Sequence, residues 1–190
     1  MLWFYRWLFP AMWIAFLVYW QIRAAGTKTT QRMEPLASRI IRSITFCAAI
    51  ALLLLNRIPV PWLYRHLWPS GLATFYAGAA VTAAGLLFAV WARNFIGSNW
   101  SRSVTIKQDH ELIVGGPYAL VRHPIYTGIL TGFVGSAIAL GQVRGLIAFA
   151  LIALALWAKL RMEERWMRSQ FGTTYEAYSR RVRALVPFVL

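Results

Sequence analysis

Long apolar runs alternate with short, basic, polar gaps along this chain, and the lengths of the runs set the elements. A helix needs about 20 apolar residues to cross the hydrocarbon of a bilayer. Five stretches come near that length, and helices are predicted over 3–22, 40–58, 71–93, 124–141 and 143–160. The third and fourth are the plainest, because Gly71 to Ala92 and Pro124 to Gly141 carry no charged side chain. The apolar part of the second, Ile44 to Leu55, is short unless Arg42 and Arg57 snorkel to the two surfaces, and the fifth asks the same of Arg144 and Lys159. KLRMEERWMRSQF then continues the helical pattern to Gly172, a C-terminal stop signal, as an amphipathic rod beyond the membrane. The last segment reads as a short amphipathic helix ending before Pro187, with Tyr175, Tyr178, Val182 and Leu185 toward the membrane and Arg180, Arg181 and Arg183 toward headgroups. The predicted fold class is all-α: one domain over 1–190, an integral membrane bundle of about five transmembrane helices with a cytosolic C-terminal helical extension.

Small residues recur in two of these runs, as Ala77, Gly78, Ala80, Ala83, Ala84 and Gly85 in the third and as Gly128, Gly132 and Gly135 in the fourth. At such spacings they let helices approach closely in lipid. Gly128 has a second reading, as space cleared for a ligand beside His123 and Tyr126.

Composition agrees with a membrane protein, being 59% hydrophobic with ten tryptophans. Twenty Lys+Arg against six Asp+Glu give a net charge of +14, yet the charge sits between apolar runs and forms no nucleic-acid motif, so no nucleic-acid partner is expected. The positive-inside rule accounts for it better. With five spans, sixteen Lys/Arg fall on one side and only Arg6, Arg57, Arg65 and Arg144 on the other, which puts the N-terminus outside and the C-terminus in the cytosol. The N-terminal run lacks a small-x-small cleavage site and reads as a retained anchor. The lone Cys47 reads as a small packing residue, and the Ala/Arg-rich composition points to a prokaryotic plasma membrane. Oligomeric state is not encoded in any pattern here.

Candidate chemistry concentrates in HELIVGGPYALVRHPIY, His110 to Tyr126. Gly115, Gly116 and Pro117 break regular structure, and Pro124 suits the first turn of a helix, where its missing N–H has no intrahelical partner. His123 therefore falls at a helix start with Tyr126 on nearly the same face. On the rod, Lys159 and Glu163 are four apart, as are Glu164 and Arg168; both pairs read first as surface ion pairs. His66 lies in a predicted external loop, so no histidine–carboxylate metal cluster is expected, and no nucleophile elbow or phosphate-binding loop is present. The remaining set, His110, Glu111, Tyr118, Arg122, His123, Tyr126, Lys159, Arg161, Glu163 and Glu164, suits a zwitterionic or anionic small molecule with a flat ring. Methyl transfer from a sulfonium donor and phospholipid headgroup binding both remain open on this chemistry.

NWS at 99–101, HELI, GPY, VRHPIY with Gly128, and EERWMRSQFGTTYEAY through Val186–Pro187 together resemble the isoprenylcysteine carboxyl methyltransferase family and related membrane phospholipid methyltransferases. The resemblance covers roughly 93–190, and makes that the cofactor-binding half and 1–92 the N-terminal helices. It implies S-adenosyl-L-methionine at the cytosolic membrane face, lined by His110, Leu112, Ile113, Tyr118, Arg122, His123, Pro124, Ile125 and Tyr126, with Glu163 holding its ammonium. It further implies a lipophilic methyl acceptor entering from the bilayer, most directly a prenylcysteine carboxylate. Lys159 stands where the prenylcysteine enzymes carry an arginine for that carboxylate, with Arg161 nearby; lysine keeps the charge without the bidentate fork. An amine acceptor such as phosphatidylethanolamine stays open and would need a base, Glu164 or His123. The NADPH-dependent sterol reductases, which resemble the same region, are the other reading.

Overall fold

Proline and glycine set most of the helix boundaries. A computed structural model describes residues 2–24, 30–33, 35–55, 58–97, 105–107 and 112–187. Helix α1 spans Leu2–Ala24 and α2 spans Leu36–Leu54, starting directly behind Pro35. A 3₁₀ turn at Pro61–Tyr64 leads to α3, Leu72–Ile96, whose first turn is closed by the Gly71 N–H donating to Thr74 Oγ1 at 3.0 Å. The short α4, Pro117–Leu120, precedes α5, Pro124–Leu140, which opens on its proline and stops at Gly141 with φ 62°. Helix α6, Val143–Arg181, runs past the membrane-length stretch and is broken at Gly172, where φ is 48°. All five predicted helices form, but α2 begins and ends four residues before the expected 40–58, because it starts directly behind Pro35.

Among the described residues, α2, α3 and α6 are long and apolar enough to cross a membrane, and α5 adds a shorter apolar helix of 17 residues. Helix α1 has 23 residues, enough in length, but six of them are the amphipathic aromatics Trp and Tyr. The chain is thus a helical membrane bundle. One departure from pure helix is a two-stranded antiparallel ladder of β1, Thr30–Met33, and β2, Thr105–Lys107, which ties the segment after α1 to that after α3.

Helices α3 and α5 form the closest pair. A Cβ placed on Gly85 would lie 2.6 Å from the Gly128 carbonyl oxygen, and one on Gly128 would lie 2.5 Å from that of Gly85. The space at Gly128 is therefore filled by α3, including Ala89, which corrects the reading of it as room for a ligand. Phe133 on α5 is fully buried and takes Trp13 of α1 edge-on at 4.7 Å and Phe46 of α2 at 6.3 Å, so three helices meet on one ring. The Trp13 indole donates to Ser136 Oγ at 3.0 Å, and Thr82 and Ser136 both donate to the Gly132 carbonyl. Buried polar atoms here find partners inside the bundle, as lipid requires.

At the end of the bundle where α6 begins, Arg144 does not snorkel outward. It is buried, donates to Gln142 Oε1 at 2.7 Å and to the Leu55 carbonyl, and packs on the Tyr64 ring. His66 bridges to Gln142 at the same end, far from the candidate site. Cys47 is exposed on α2 rather than packed inside, since residues 46, 49 and 53 occupy its inward face.

Candidate functional site

The opposite end of the bundle gathers the polar side chains. Gly116, with φ 56°, lets the chain turn tightly under Phe95; a Cβ there would come within 2.5 Å of that ring. The turn delivers Tyr118 on α4 and then Arg122–His123, and Pro124 starts α5 so that the His123 and Tyr126 rings lie parallel, 5.3 Å apart at 8°. Facing them, the part of α6 beyond Leu160 leaves the apolar run and presents Glu163 and Glu164.

Two carboxylates organise everything around them. Glu163 accepts the Tyr126 hydroxyl at 2.6 Å, lies 3.5 Å from Lys159 Nζ and 3.5 Å from His123 Nδ1, and keeps 24% of its side chain exposed. Lys159 Nζ also sits 5.2 Å from the Tyr126 ring centroid. Glu164, only 5% exposed, takes Arg122 Nε at 2.9 Å, His123 Nε2 at 3.0 Å and the Tyr175 hydroxyl at 2.8 Å on one oxygen, and Arg168 at 3.3 Å on the other. These are not the surface pairs the i,i+4 spacing suggested, since Lys159, Glu163 and Glu164 are largely enclosed.

The arrangement fixes charge states. Burial would raise both carboxyls, but Lys159, His123 and Tyr126 hold Glu163 down to about 2, and His123, Arg122 and Tyr175 hold Glu164 down to about 2. Burial would likewise lower His123, yet a carboxylate on each ring nitrogen raises it above its ordinary value. A carboxylate only accepts, so one beside each ring nitrogen favours the doubly protonated ring. Burial and the neighbouring Glu163 push the Tyr118 hydroxyl up, and Tyr178 is pushed up to about 12, chiefly by burial. His123 and Glu164, the two bases offered by the sequence, are therefore poorly placed to take a proton: one faces a carboxylate at each ring nitrogen, the other is saturated with donors.

The distal part of α6 folds back onto this cluster. Tyr175 and Tyr178 are 2% and 5% exposed, bonded to Glu164 and to the Tyr118 carbonyl at 2.6 Å, so they do not face the membrane as the sequence pattern suggested. A buried tyrosine hydroxyl needs a partner, and protein supplies one where hydrocarbon does not. Past Arg181 the chain straps the site: the Arg122 and His123 N–H groups donate to the Arg183 and Ala184 carbonyls at 2.8 and 3.0 Å, and Thr127 Oγ1 donates to that of Leu185 at 2.7 Å. The Arg122 guanidinium adds bonds to the Ser179 and Val182 carbonyls.

Arg122, His123, Tyr126, Lys159, Glu163 and Glu164 thus converge, with Tyr118 beside them. Pro124 and Ile125 are buried in the helix packing, and Leu112 and Ile113 are half-buried, Ile113 against the core. Arg161 is not brought in: it is exposed and stacks on Trp157, on the far side of α6 from Lys159 and Glu163. His110 lies outside the described residues. Tyr175, Tyr178 and Arg168 were not recognised as part of the site; the tyrosine pair at i,i+3 just past the Gly172 break was the available signal.

Residues 73–174 match the family model described as phospholipid methyltransferase. The chain is similar to protein-S-isoprenylcysteine O-methyltransferase B of Arabidopsis thaliana, 31% identical over 134 residues, covering 68% of this chain and 64% of that protein. It is also similar to a probable protein-S-isoprenylcysteine O-methyltransferase of Oryza sativa subsp. indica, 27% identical over 186 residues and 96% of each chain. A shorter likeness, 44% over 71 residues, joins 37% of this chain to 26% of methanethiol S-methyltransferase 2 of Bradyrhizobium diazoefficiens. The matched model contains every member of the carboxylate cluster except the tail tyrosines and strap.

Proposed function

The chain belongs to the phospholipid methyltransferase family, and from that premise we propose that it is an integral membrane methyltransferase using S-adenosyl-L-methionine to methylate a lipophilic acceptor, foremost the carboxylate of a prenylcysteine. The observation that carries this reading is the convergence of Tyr126, His123 and Lys159 on the Glu163 carboxylate where α5 and α6 meet. The donor set fits the donor molecule: Glu163 stays ionised for an ammonium group, and the parallel His123–Tyr126 pair offers a flat wall to an aromatic base. When bound, the sulfonium donor supplies an activated methyl group whose thioether leaving group needs no acid.

The chain's own residues then have three tasks. Glu163 and Tyr126 bind and orient, Lys159 offers positive charge to the acceptor, and the strapped tail limits water at the cluster. Alignment rather than proton transfer is the main demand, which suits a site whose His123 and Glu164 are engaged with each other. A carboxylate acceptor arrives ionised and needs no base; an ethanolamine headgroup would require one. That difference, together with the isoprenylcysteine relatives, favours carboxyl methylation.

Labelled methyl transfer by the purified protein into N-acetyl-S-farnesylcysteine and into phosphatidylethanolamine vesicles tests the proposal. Base-labile label in the farnesylcysteine is expected, as a methyl ester gives; label in the lipid amine alone would move the acceptor to the phospholipid class, and label in neither would remove the proposal.

A further inference from the structure

The strap lies at the level where the protein meets the bilayer. Helix α5 carries no charged side chain, so its first turn marks the edge of the apolar layer. The strap runs along that turn: the Arg183 and Ala184 carbonyls accept from the Arg122 and His123 N–H groups, and that of Leu185 accepts from Thr127, one turn and about 6 Å further into the helix than His123. Ala184 and Leu185 pack against the core, and Val186 beyond them is 45% exposed. The outer side of the same tail is basic. Steps of about 100° per residue set Arg180 opposite Tyr175 and Tyr178, the pair turned to Glu164 and Tyr118. Arg180, Arg181 and Arg183 are all exposed, and Glu176 is the single acid between Thr173 and Leu185. On its inner side the tail gives the Ser179 and Val182 carbonyls to the Arg122 guanidinium, which holds Glu164 at 2.9 Å. One short segment thus joins a basic outer surface to the charge network of the site.

We propose that Arg180, Arg181 and Arg183 form a docking surface for the anionic headgroups of the adjoining leaflet, and that this contact holds the strap closed over the site. Long arginine side chains reach headgroup phosphates from the edge of the apolar layer, and several of them close together select an anionic surface over a zwitterionic one. The closed strap supplies the carbonyls that fix Arg122 and His123, so leaflet charge sets how much of the protein has its cluster assembled. Gly172, where φ is 48° and α6 breaks, is the hinge about which the tail leaves. The docking surface stands on the tail's own geometry; its effect on donor binding rests on the methyltransferase reading.

The test places the full chain in nanodiscs of phosphatidylcholine, with or without phosphatidylglycerol, and follows proteinase K cleavage past Gly172 together with S-adenosylhomocysteine affinity. In the wild type the anionic lipid is expected to slow cleavage about threefold or more and to tighten binding by a similar factor, and high salt should remove both effects. The triple variant Arg180→Gln/Arg181→Gln/Arg183→Gln should lose both responses while melting with the wild type in phosphatidylcholine. Arg165→Gln, exposed on α6 ahead of the break, should keep them. Equal cleavage in the two membranes, a response that survives high salt in the wild type, a response kept by the triple variant, or one lost equally in Arg165→Gln overturns the docking surface. Slower cleavage with anionic lipid, but no S-adenosylhomocysteine binding in either membrane, keeps the docking surface and overturns the methyltransferase reading alone.

Discussion

Each ring nitrogen of His123 faces a different carboxylate, and that single placement decides much about the site. The flanking carboxylates favour the protonated ring, so its titration should appear in stability before it appears in catalysis. Its folded value is raised, so it contributes stability fully below its ordinary 6.5 and loses it as pH climbs through the raised value. Glu163 and Glu164 act oppositely: held at about 2 against an ordinary 4.5, they contribute above 4.5 and lose it as pH falls toward 2. Thermal melts in detergent across pH should show both declines, and His123→Asn should erase the alkaline one while keeping most of the acid one. Sequence spacing already placed Lys159 over Glu163 and Glu164 over Arg168. It could not tell an enclosed pair from a solvated one, because the enclosing groups, Tyr126, Tyr175 and Arg122, come from 11 to 42 residues away.

Among the elements, the α3–α5 seam and the folded-back tail carry most of the positioning. Gly85 and Gly128 approach so closely that an added methyl meets backbone rather than a movable side chain. Gly85→Ala should cost about 1–3 kcal/mol or more as overpacking, seen as a lower melting temperature, and should also shift α5 and weaken donor binding. The tail makes a separate prediction. Tyr175→Phe removes one of the donors to Glu164 without changing bulk, costing about 1–2 kcal/mol locally. Limited proteolysis should then cut after Gly172 faster than in the wild type while the remaining helices stay protected. Uncharged runs made α3 and α5 plain from sequence, and Gly172 correctly marked a break. The direction of the tail was not legible: a period of 3.6 with tyrosines on one side describes a helix lying on lipid and one lying on protein equally well. The boundary of α2 was missed for a simpler reason, that the helix begins directly behind Pro35 and takes in Arg39.

For the molecule as a whole, the polar cluster sits at one end of a membrane bundle and the buried Arg144 group at the other. The sixteen-to-four division of basic residues predicts that the cluster faces the cytosol. A C-terminal reporter should therefore be active only in its cytosolic form; the opposite result would put the site on the outer surface and away from any intracellular methyl donor. Several apolar spans and a basic bias could be read directly from the chain, whereas the meeting of α5 and α6 at Tyr126 and Glu163 depends on pairwise packing that no periodicity reports.

The most direct measurement is the titration of the purified protein with S-adenosylhomocysteine, on the wild type and on Glu163→Gln, which keeps the shape of the side chain and removes its charge. Saturable binding by the wild type, weakened about tenfold or more in the folded variant, is the predicted result. No binding by the wild type, or equal binding by both proteins, would contradict the account.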